Sequence, residues 1–267
     1  MTDASHPSGE VKFIDGLFEL PSRIRHKLEV KWDERQRTPG RYEASPDPDR
    51  DLHLLLGAPW PCPETEGFQQ EWSHVIAEIE GGGPLGQGHD VSVALARTQW
   101  CIVRHLRPRK IIETGVARGI SSRFLLAALD LNGSGRLWSI DLPPLRRPWR
   151  DQVGAAVPNN LRTRWTYLRG ASRTLLPELI RELGEIDLFI HDSLHIGKNM
   201  MFEFGQAWTA LRPGGILLSD DIGGNSAFEA VTGWAAAGDH LVVEQAEKKD
   251  VLGVARKPEP LLGSNIT

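Results

Sequence analysis

Almost entirely apolar strands alternate with helical segments through the second half of the chain, and this alternation constrains the fold more than any other feature of the sequence. The strand-like segments are KIIETG, RLWSID, WTYLRG, IDLFIHD and GILLSDD, and most of the stretches between them carry apolar residues at helical spacing. Strands that are apolar on both faces must be covered on both faces. We therefore predict an α/β fold with a doubly wound, mostly parallel sheet.

The chain ends on a different pattern. HLVVEQ and VLGVARK are strand-like, and only AEKKD separates them. This connection is too short for a helical crossover, so the two strands are predicted to form an antiparallel hairpin that closes one edge of the sheet. Two helical segments, FQQEWSHVIAEIE and VSVALARTQWCIVRHL, precede the first predicted strand.

The first 67 residues are irregular and rich in proline. TPGRYEASPDPDRD (38–51) and APWPCPE (58–64) have the composition of turns and linkers, and a helix is expected from about residue 22. We divide the chain into an extension (1–67), a domain (68–258, with leading helices 68–109 and a sheet core 110–258) and a tail (259–267). The extension is either poorly ordered or folds over an active site or a partner subunit, and the latter predicts a homo-oligomer.

Composition excludes several classes of protein. The 31 basic and 35 acidic residues give a net charge of −4, which carries no global signature of nucleic-acid or membrane-surface binding. No apolar run approaches the ~18 residues of a membrane span, and MTDASHPSGE lacks a secretory pattern. Cys62 and Cys101 cannot form a disulfide framework, and neither lies in a CxxC spacing. We expect a reduced, cytoplasmic protein.

A glycine-bearing turn follows the first strand of the sheet. In IIETGVARGISS, Gly115 and Gly119 lie between the strand and the next helix, where free backbone N–H groups can contact a ligand. The spacing is not GxGxxG, and a plain tight turn explains it equally well. Asp141 ends the next strand, where a carboxylate can accept both ribose hydroxyls or simply cap a turn.

Three aspartates follow two other strands of the sheet. Asp192 ends IDLFIHD, and Asp220 and Asp221 end ILLSDD. If these strands are neighbours, their carboxylates converge at the rim where open α/β sheets bind ligands. Such carboxylates repel one another unless a cation neutralises them, and oxygen ligands favour Mg²⁺, Mn²⁺ or Ca²⁺. The alternative is that they cap the following helices. His195 lies three residues beyond Asp192, close to the predicted metal.

These motifs together resemble a known family. ETGVARG, the SID acid, HDSLH, LRPGGILLSDD and the closing hairpin are similar to class I S-adenosylmethionine-dependent methyltransferases. Within that class they resemble the divalent-metal-dependent O-methyltransferases, which include catechol, macrolide-sugar and rhamnosyl O-methyltransferases. The resemblance covers roughly residues 90–258. It implies a Rossmann-like seven-stranded sheet of order 3-2-1-4-5-7-6 with the last strand antiparallel.

The resemblance also implies a role for each matching residue. The residues expected to bind S-adenosylmethionine are Glu113, Gly115, Gly119, Ser121, Asp141, Ser172 and Asp192. The expected metal ligands are Asp192, Asp220 and Asp221, and His195 is the expected general base. His191 is the second choice for that base, although strand alternation directs it to the face opposite Asp192.

The resemblance leaves the acceptor open between two classes. SDD departs from the Asp-Asn pair of catechol enzymes, and a histidine base is similar to that of some macrolide-sugar enzymes. A sugar hydroxyl is therefore the preferred acceptor, and a phenol is the alternative. The loop 143–158 carries Arg146, Arg147, Trp149 and Arg150, which either grip a saccharide or an acidic group or form a solvated loop.

Three other functions compete with methyl transfer. A dehydrogenase shares the βαβ start, but it would need GxGxxG and has no use for three aspartates beside a histidine. A related family of cephalosporin hydroxylases keeps an oxygenase open, although no two-His-one-carboxylate set is apparent in the sequence. A degenerate methyltransferase fold that serves as a scaffold would bind the cofactor without requiring a metal.

Overall fold

A single mixed sheet forms the centre of the molecule. The structure is a computed structural model that describes residues 12–13, 23–24, 27–28, 30–31, 38–80, 91–143 and 150–259. The strands are β1 Lys12–Phe13, β2 Lys110–Thr114, β3 Arg136–Asp141, β4 Trp165–Arg169, β5 Ile186–His191, β6 Leu211–Ser219, β7 His240–Gln245 and β8 Asp250–Arg256. Their spatial order is β1-β4-β3-β2-β5-β6-β8-β7.

The predicted strand order is confirmed. The seven strands from β2 to β8 have the order 3-2-1-4-5-7-6, and the last of them, β8, is antiparallel to both of its neighbours. The sequence analysis missed one strand, because β1 pairs in parallel with β4 and adds an eighth strand at that edge. A two-residue strand is too short to produce any pattern in the sequence.

Helices cover both faces of the sheet. They are α1 Pro48–Leu56, α2 Thr65–Glu80, α3 Val93–Leu106, α4 Ile120–Asn132, α5 Ser172–Leu183, α6 Gly197–Ala210 and α7 Ala227–Trp234, with 3-10 turns at Asn159–Arg164 and Ile222–Gly224. No helix in the described part of the chain has the length and apolar character needed to cross a membrane.

Successive side chains of the central strands enter two separate cores. Ile111 belongs to the core that contains residues of α1 to α4, and Ile112 belongs to the core that contains residues of α5 to α7. This division follows from the two-residue period of a strand, and it explains why the strands are apolar at nearly every position. The ends of the parallel strands are thereby held at one rim of the sheet.

The predicted linker over residues 38–51 is wrong in its last part, because α1 begins at Pro48. The Asp47 carboxylate accepts a hydrogen bond from the backbone N–H of Arg50, and proline is well suited to the first turn of a helix. Leu52 and Leu55 of α1 are buried in the first core. The domain boundary at residue 67 stays a prediction, and Arg146, Arg147 and Trp149 lie outside the described residues.

Candidate active site

The rim of the sheet brings together the turn after β2 and the segments that follow β5 and β6. These strands are neighbours, with Thr114 opposite His191 and His191 opposite Ser219. Gly115, Asp192 and Asp220 are therefore the first residues beyond three adjacent strands. The predicted convergence of the aspartates depends on these strands being neighbours.

Glu113 lies beneath the glycine turn and is completely buried. Its carboxylate accepts hydrogen bonds from the hydroxyls of Ser121 (3.0 Å), Ser122 (2.6 Å) and Ser139 (2.7 Å). Burial raises the pKa of Glu113 to about 7, although the three hydroxyls favour its charged form. Glu113 and Ser121, both predicted cofactor residues, are thus bonded to each other, and they tie β2, β3 and α4 together.

The two glycines of the turn approach the protein's own backbone closely. Gly115 has a φ of +88°, and a Cβ atom there would overlap the carbonyl oxygen of Asp192. Gly119 has a φ of +82° and packs against Gly154. Only glycine adopts this left-handed backbone without strain. The turn can therefore lie directly against the segment after β5, and its N–H groups remain near the rim.

Asp141 is at the carboxyl end of β3, as the sequence predicted. Its carboxylate accepts hydrogen bonds from the backbone N–H groups of Leu142 and Val116. Burial raises the pKa of Asp141 to about 6, while those bonds and the charge of Arg23 lower it. Arg23 also donates to the carbonyl oxygen of Pro143 (2.7 Å), so residues of the N-terminal extension contact the predicted ribose end of the site.

Ser172 begins α5, and its hydroxyl hydrogen bonds to Glu203. Glu203 is fully buried and also accepts from Thr114 (2.6 Å), His191 Nδ1 (2.7 Å) and Asn199 (2.9 Å). Burial alone would raise the pKa of Glu203, but His191 and these donors lower it to about 2. The sequence analysis missed this network, which holds the start of α6 beneath the rim.

The network also fixes His191, the second choice for a general base. The His191 ring is fully buried, and its Nδ1 atom is bonded to Glu203. It packs edge-on against the ring of His195 with centroids 5.2 Å apart. His191 therefore supports His195 from behind instead of facing the rim.

The predicted metal ligands converge on His195. Its Nε2 lies 3.9 Å from Asp192 Oδ1, and its Nδ1 lies 3.7 Å from Asp221 Oδ2. Asp192, His195 and Asp220 each offer a ligand atom, and these three atoms lie within 4.8 Å of one another. The backbone at Asp221 is left-handed, with a φ of 45°. Non-glycine residues in this conformation are strained and cluster at functional sites.

Lys248 is a member of the site that the sequence analysis missed. It lies in the turn between β7 and β8, and its Nζ contacts Asp220 Oδ2 (2.6 Å) and Asp221 Oδ1 (3.0 Å). These carboxylates raise the pKa of Lys248 despite its partial burial. Gln245 also donates to Asp220 (2.8 Å). Lys248 and Gln245 thus fix the orientation of Asp220 at the rim.

These residues fit a divalent cation. The donors are hard carboxylate oxygens and one imidazole, which are ligand types that divalent cations accept. The His195 ring is 27 % exposed, and its buried Nε2 makes no hydrogen bond within the described structure. Burial, followed by the neighbouring His191, lowers the pKa of His195 to about 3, so the ring is neutral at neutral pH.

A family model described as a methyltransferase domain matches residues 112–222, which run from β2 to the turn after β6. This part of the chain matches a methyltransferase domain. The resemblance to class I S-adenosylmethionine-dependent methyltransferases and the enzyme class predicted from the sequence are confirmed. No curated protein sequence is a significant match to this chain.

Solved structures share the fold of this methyltransferase domain. TomG, an O-methyltransferase from Streptomyces achromogenes involved in tomaymycin synthesis and solved with S-adenosylmethionine, is 17% identical, with a TM-score of 0.53 over 87% of this chain and 96% of that chain. An O-methyltransferase from Bacillus cereus, solved with S-adenosylhomocysteine, is 18% identical, with a TM-score of 0.50 over 77% and 96% of the two chains. At these identities the likeness establishes the fold.

A pH-dependent stability difference is expected for Glu113→Gln. Because the pKa of Glu113 is raised from 4.5 to about 7 on folding, its contribution to stability is fully present below about pH 4.5 and is lost as the pH rises through 7. At 1.36 kcal/mol per pKa unit, the loss is on the order of 3 kcal/mol. The neutral variant should therefore gain stability relative to wild type across this range.

Urea unfolding of both proteins between pH 4.5 and 8 measures this difference. Glu182→Gln is the matched control, because Glu182 is exposed on α5. Its difference from wild type should be small at every pH. A Glu113→Gln difference that does not change with pH would show that the carboxyl is already charged in the folded protein at low pH.

Proposed function

We propose that the chain is an S-adenosylmethionine-dependent and divalent-metal-dependent O-methyltransferase that acts on a hydroxyl of a small molecule, preferentially a sugar hydroxyl of a glycoside. The observation that carries the proposal is the convergence of Asp192, Asp220 and His195 at the rim that the glycine turn also reaches. TomG and the Bacillus cereus protein are O-methyltransferases that were solved with bound donor or product.

The donor side of the site lies along β2 and β3. Asp141 would hold the ribose hydroxyls, since its carboxylate ends the strand next to the glycine turn. Backbone N–H groups of that turn would contact the methionine end. Glu113 has a positioning role, because its contacts with three serines hold the turn and the first residues of α4 in place.

The acceptor side lies above β5 and β6, and its main task is to remove a proton. The pKa of an aliphatic hydroxyl is close to that of water, ~15.7, far above that of any imidazole. A divalent cation, when bound, supplies Lewis-acid stabilisation of the developing negative charge. Asp192, Asp220 and Asp221 would hold this cation. His195 Nε2 would accept the proton, because this atom makes no other hydrogen bond within the described structure.

Lys248 and His191 have supporting tasks in this arrangement. Lys248, in the turn of the β7–β8 hairpin, contacts one oxygen atom of Asp220 and one of Asp221. These contacts hold both carboxylates in place. His191 packs against the His195 ring and limits its rotation. The sheet thus positions each group before a ligand binds, and such preorganisation supports catalysis.

The geometry favours methyl transfer over the oxygenase alternative. In the described part of the chain, the metal-capable cluster at the rim contains one histidine and two carboxylates. Non-haem iron oxygenases use two histidines and one carboxylate. His191, the nearest second histidine, is fully buried and is not a member of this cluster.

An assay with a labelled methyl donor tests the proposed function. Purified protein is incubated with S-adenosylmethionine and Mg²⁺ or Mn²⁺, with glycosides and glycolipid fragments in one arm and catechols in the other. We expect methyl incorporation into a glycoside and its loss in EDTA. Incorporation that persists in EDTA would remove the metal from the proposal, and incorporation into catechols alone would change the acceptor class. Failure to bind S-adenosylmethionine in calorimetry would overturn the enzyme assignment.

A further inference from the structure

A second cluster of potential metal ligands lies away from the rim, where α1 and the connection that follows it meet α3. We refer to His53, Cys62, Cys101 and His105 as the His-Cys cluster. His53 is in α1, Cys62 is in the connection between α1 and α2, and Cys101 and His105 are four residues apart in α3. Residues at this spacing share one face of a helix.

Two distances within the His-Cys cluster match those of a tetrahedral zinc site. Cys62 Sγ lies 3.5 Å from His105 Nε2 and 3.9 Å from Cys101 Sγ. Zinc bonds of about 2.3 Å to sulfur and 2.0–2.1 Å to nitrogen place tetrahedral S and N ligands about 3.6 Å apart, and two S ligands about 3.8 Å apart. Ligand atoms of His53, Cys62 and His105 all lie within 4.8 Å of one another. Cys101 is outside this group of three and contacts it through Cys62.

His53 gives an independent indication of a ligand. Its ring is 1 % exposed, and its Nδ1 atom lies 2.6 Å from the carbonyl oxygen of Asp49. The other ring nitrogen, Nε2, is buried and has no well-formed hydrogen bond among the described residues, although the His53 side chain also interacts with the Cys62 sulfur. A buried polar atom without a partner is costly and rare. A backbone carbonyl on one ring nitrogen and a metal on the other is the usual environment of a metal-binding histidine.

The sulfur chemistry of the cluster is also suited to a metal. The Cys62 and Cys101 thiols share a hydrogen bond. This bond, together with those from His105, the Glu64 backbone and His53, lowers the pKa of Cys62 to about 3 despite partial burial. The thiolate is the form of cysteine that binds metals. The contact with Cys62 and burial raise the pKa of Cys101, which would lose its proton when a metal binds.

We propose that His53, Cys62, Cys101 and His105 form a structural zinc site. Two sulfur and two nitrogen ligands in tetrahedral arrangement favour zinc over magnesium or calcium. The site would link α1, the following connection and α3, and so fasten residues 48–64 to the methyltransferase domain. It is independent of the proposed reaction, because it shares no residue with the rim.

Metal content and cobalt spectroscopy test the proposal on the full chain. The reduced protein is loaded with Zn²⁺ or Co²⁺, dialysed and analysed by mass spectrometry of its metals. We expect about one tightly held zinc per chain. The rim can also take a dication, so metal content alone does not identify the His-Cys cluster as the site. Tetrahedral Co²⁺ with thiolate ligands gives visible and thiolate-to-cobalt absorption bands, and the oxygen ligands at the rim do not give them.

Cys62→Ser should weaken the thiolate-to-cobalt band, and His105→Gln should lower the cobalt occupancy. Both should lower zinc affinity by more than the roughly 10–100-fold that the loss of an outer partner costs. His74→Gln is the matched control, since His74 is 72% exposed on α2. Asp192→Ala should also retain the bands, which separates this site from the rim. The wild-type spectrum tests the proposal even if a cluster variant fails to fold.

Two results would overturn the zinc site. One is a reduced wild-type protein that shows no thiolate-to-cobalt band and holds no more zinc than Cys62→Ser. The other is an intact mass that lacks two hydrogens and remains so in mild reductant, with no metal bound. That result would mean that Cys62 and Cys101 move together into a stable disulfide, which requires their sulfurs to approach to about 2.05 Å.

Discussion

Replacing Asp192 by alanine is expected to lower metal-supported methyl transfer by roughly 10³-fold or more. A cation at the reacting oxygen supplies several kcal/mol of stabilisation, and each 1.36 kcal/mol corresponds to a factor of ten in rate. The Asp192 side chain is 22% exposed, so its removal leaves no buried cavity. Asp192 is also a predicted donor contact, but Asp141 and the glycine turn remain intact. S-adenosylmethionine affinity should therefore change by only a few-fold.

The measurement pairs initial rates with two titrations. Mn²⁺ affinity and S-adenosylmethionine affinity are determined separately by calorimetry for wild type, Asp192→Ala and the control Asp130→Ala. Asp130 is a suitable control because its side chain is 55% exposed on α4 and makes only a surface ion pair. An active Asp192→Ala variant that is resistant to EDTA would contradict the assignment of Asp192 to the metal.

Asp220 is the less informative position for the same experiment. Its carboxylate is 1% exposed and bonds to both Lys248 and Gln245. Replacing it would leave the partly buried Lys248 ammonium with one carboxylate partner instead of two, which destabilises the protein whether or not a metal binds. A loss of activity in that variant could not be attributed to the metal alone.

The sheet and the convergence of the aspartates could be predicted because both follow from local patterns. Five strands that are apolar on both faces, joined by long connections, require a parallel sheet, and the short AEKKD connection requires an antiparallel hairpin. Parallel strands end at the same rim. Asp192 and Asp220 therefore had to lie close together once β5 and β6 were neighbours.

Lys248 was not predicted as a site residue, although the strand topology places it beside the aspartates. β7 and β6 are both antiparallel to β8, so β7 runs parallel to β6 and ends at the same rim. The turn that follows β7 must therefore lie beside the aspartates. In the sequence alone, AEKKD looks like an ordinary solvated turn, and nothing local indicates that one of its lysines has acidic partners.

The His-Cys cluster was missed for a different reason. Its members come from α1, an irregular connection and α3, and their encounter depends on packing that no local pattern encodes. The i, i+4 spacing of Cys101 and His105 was the one local indication, and a search restricted to CxxC spacings passes over it. α1 was equally difficult to predict, because its proline lies at the helix start, where it favours a helix instead of breaking one.

Replacing His195 by alanine is expected to lower kcat by roughly 10²–10⁴-fold, the usual range for loss of a general base. Binding of the donor and of Mn²⁺ should change by only a few-fold, because the three aspartates remain. The distances leave a second role open to the experiment, since both ring nitrogens lie within 4 Å of a carboxylate oxygen. A base and a metal ligand differ in what their removal does to metal affinity.

Parallel measurement of kcat and Mn²⁺ affinity separates these roles. His240→Gln, at an exposed position at the start of β7, is the histidine control and should leave both values near those of wild type. If His195→Ala loses Mn²⁺ affinity in proportion to kcat, His195 is a metal ligand and another group takes the proton. An unchanged kcat would exclude both roles. A fall in kcat with retained Mn²⁺ affinity requires that the imidazole act on the substrate hydroxyl, because the carboxylates then still hold the ion without it.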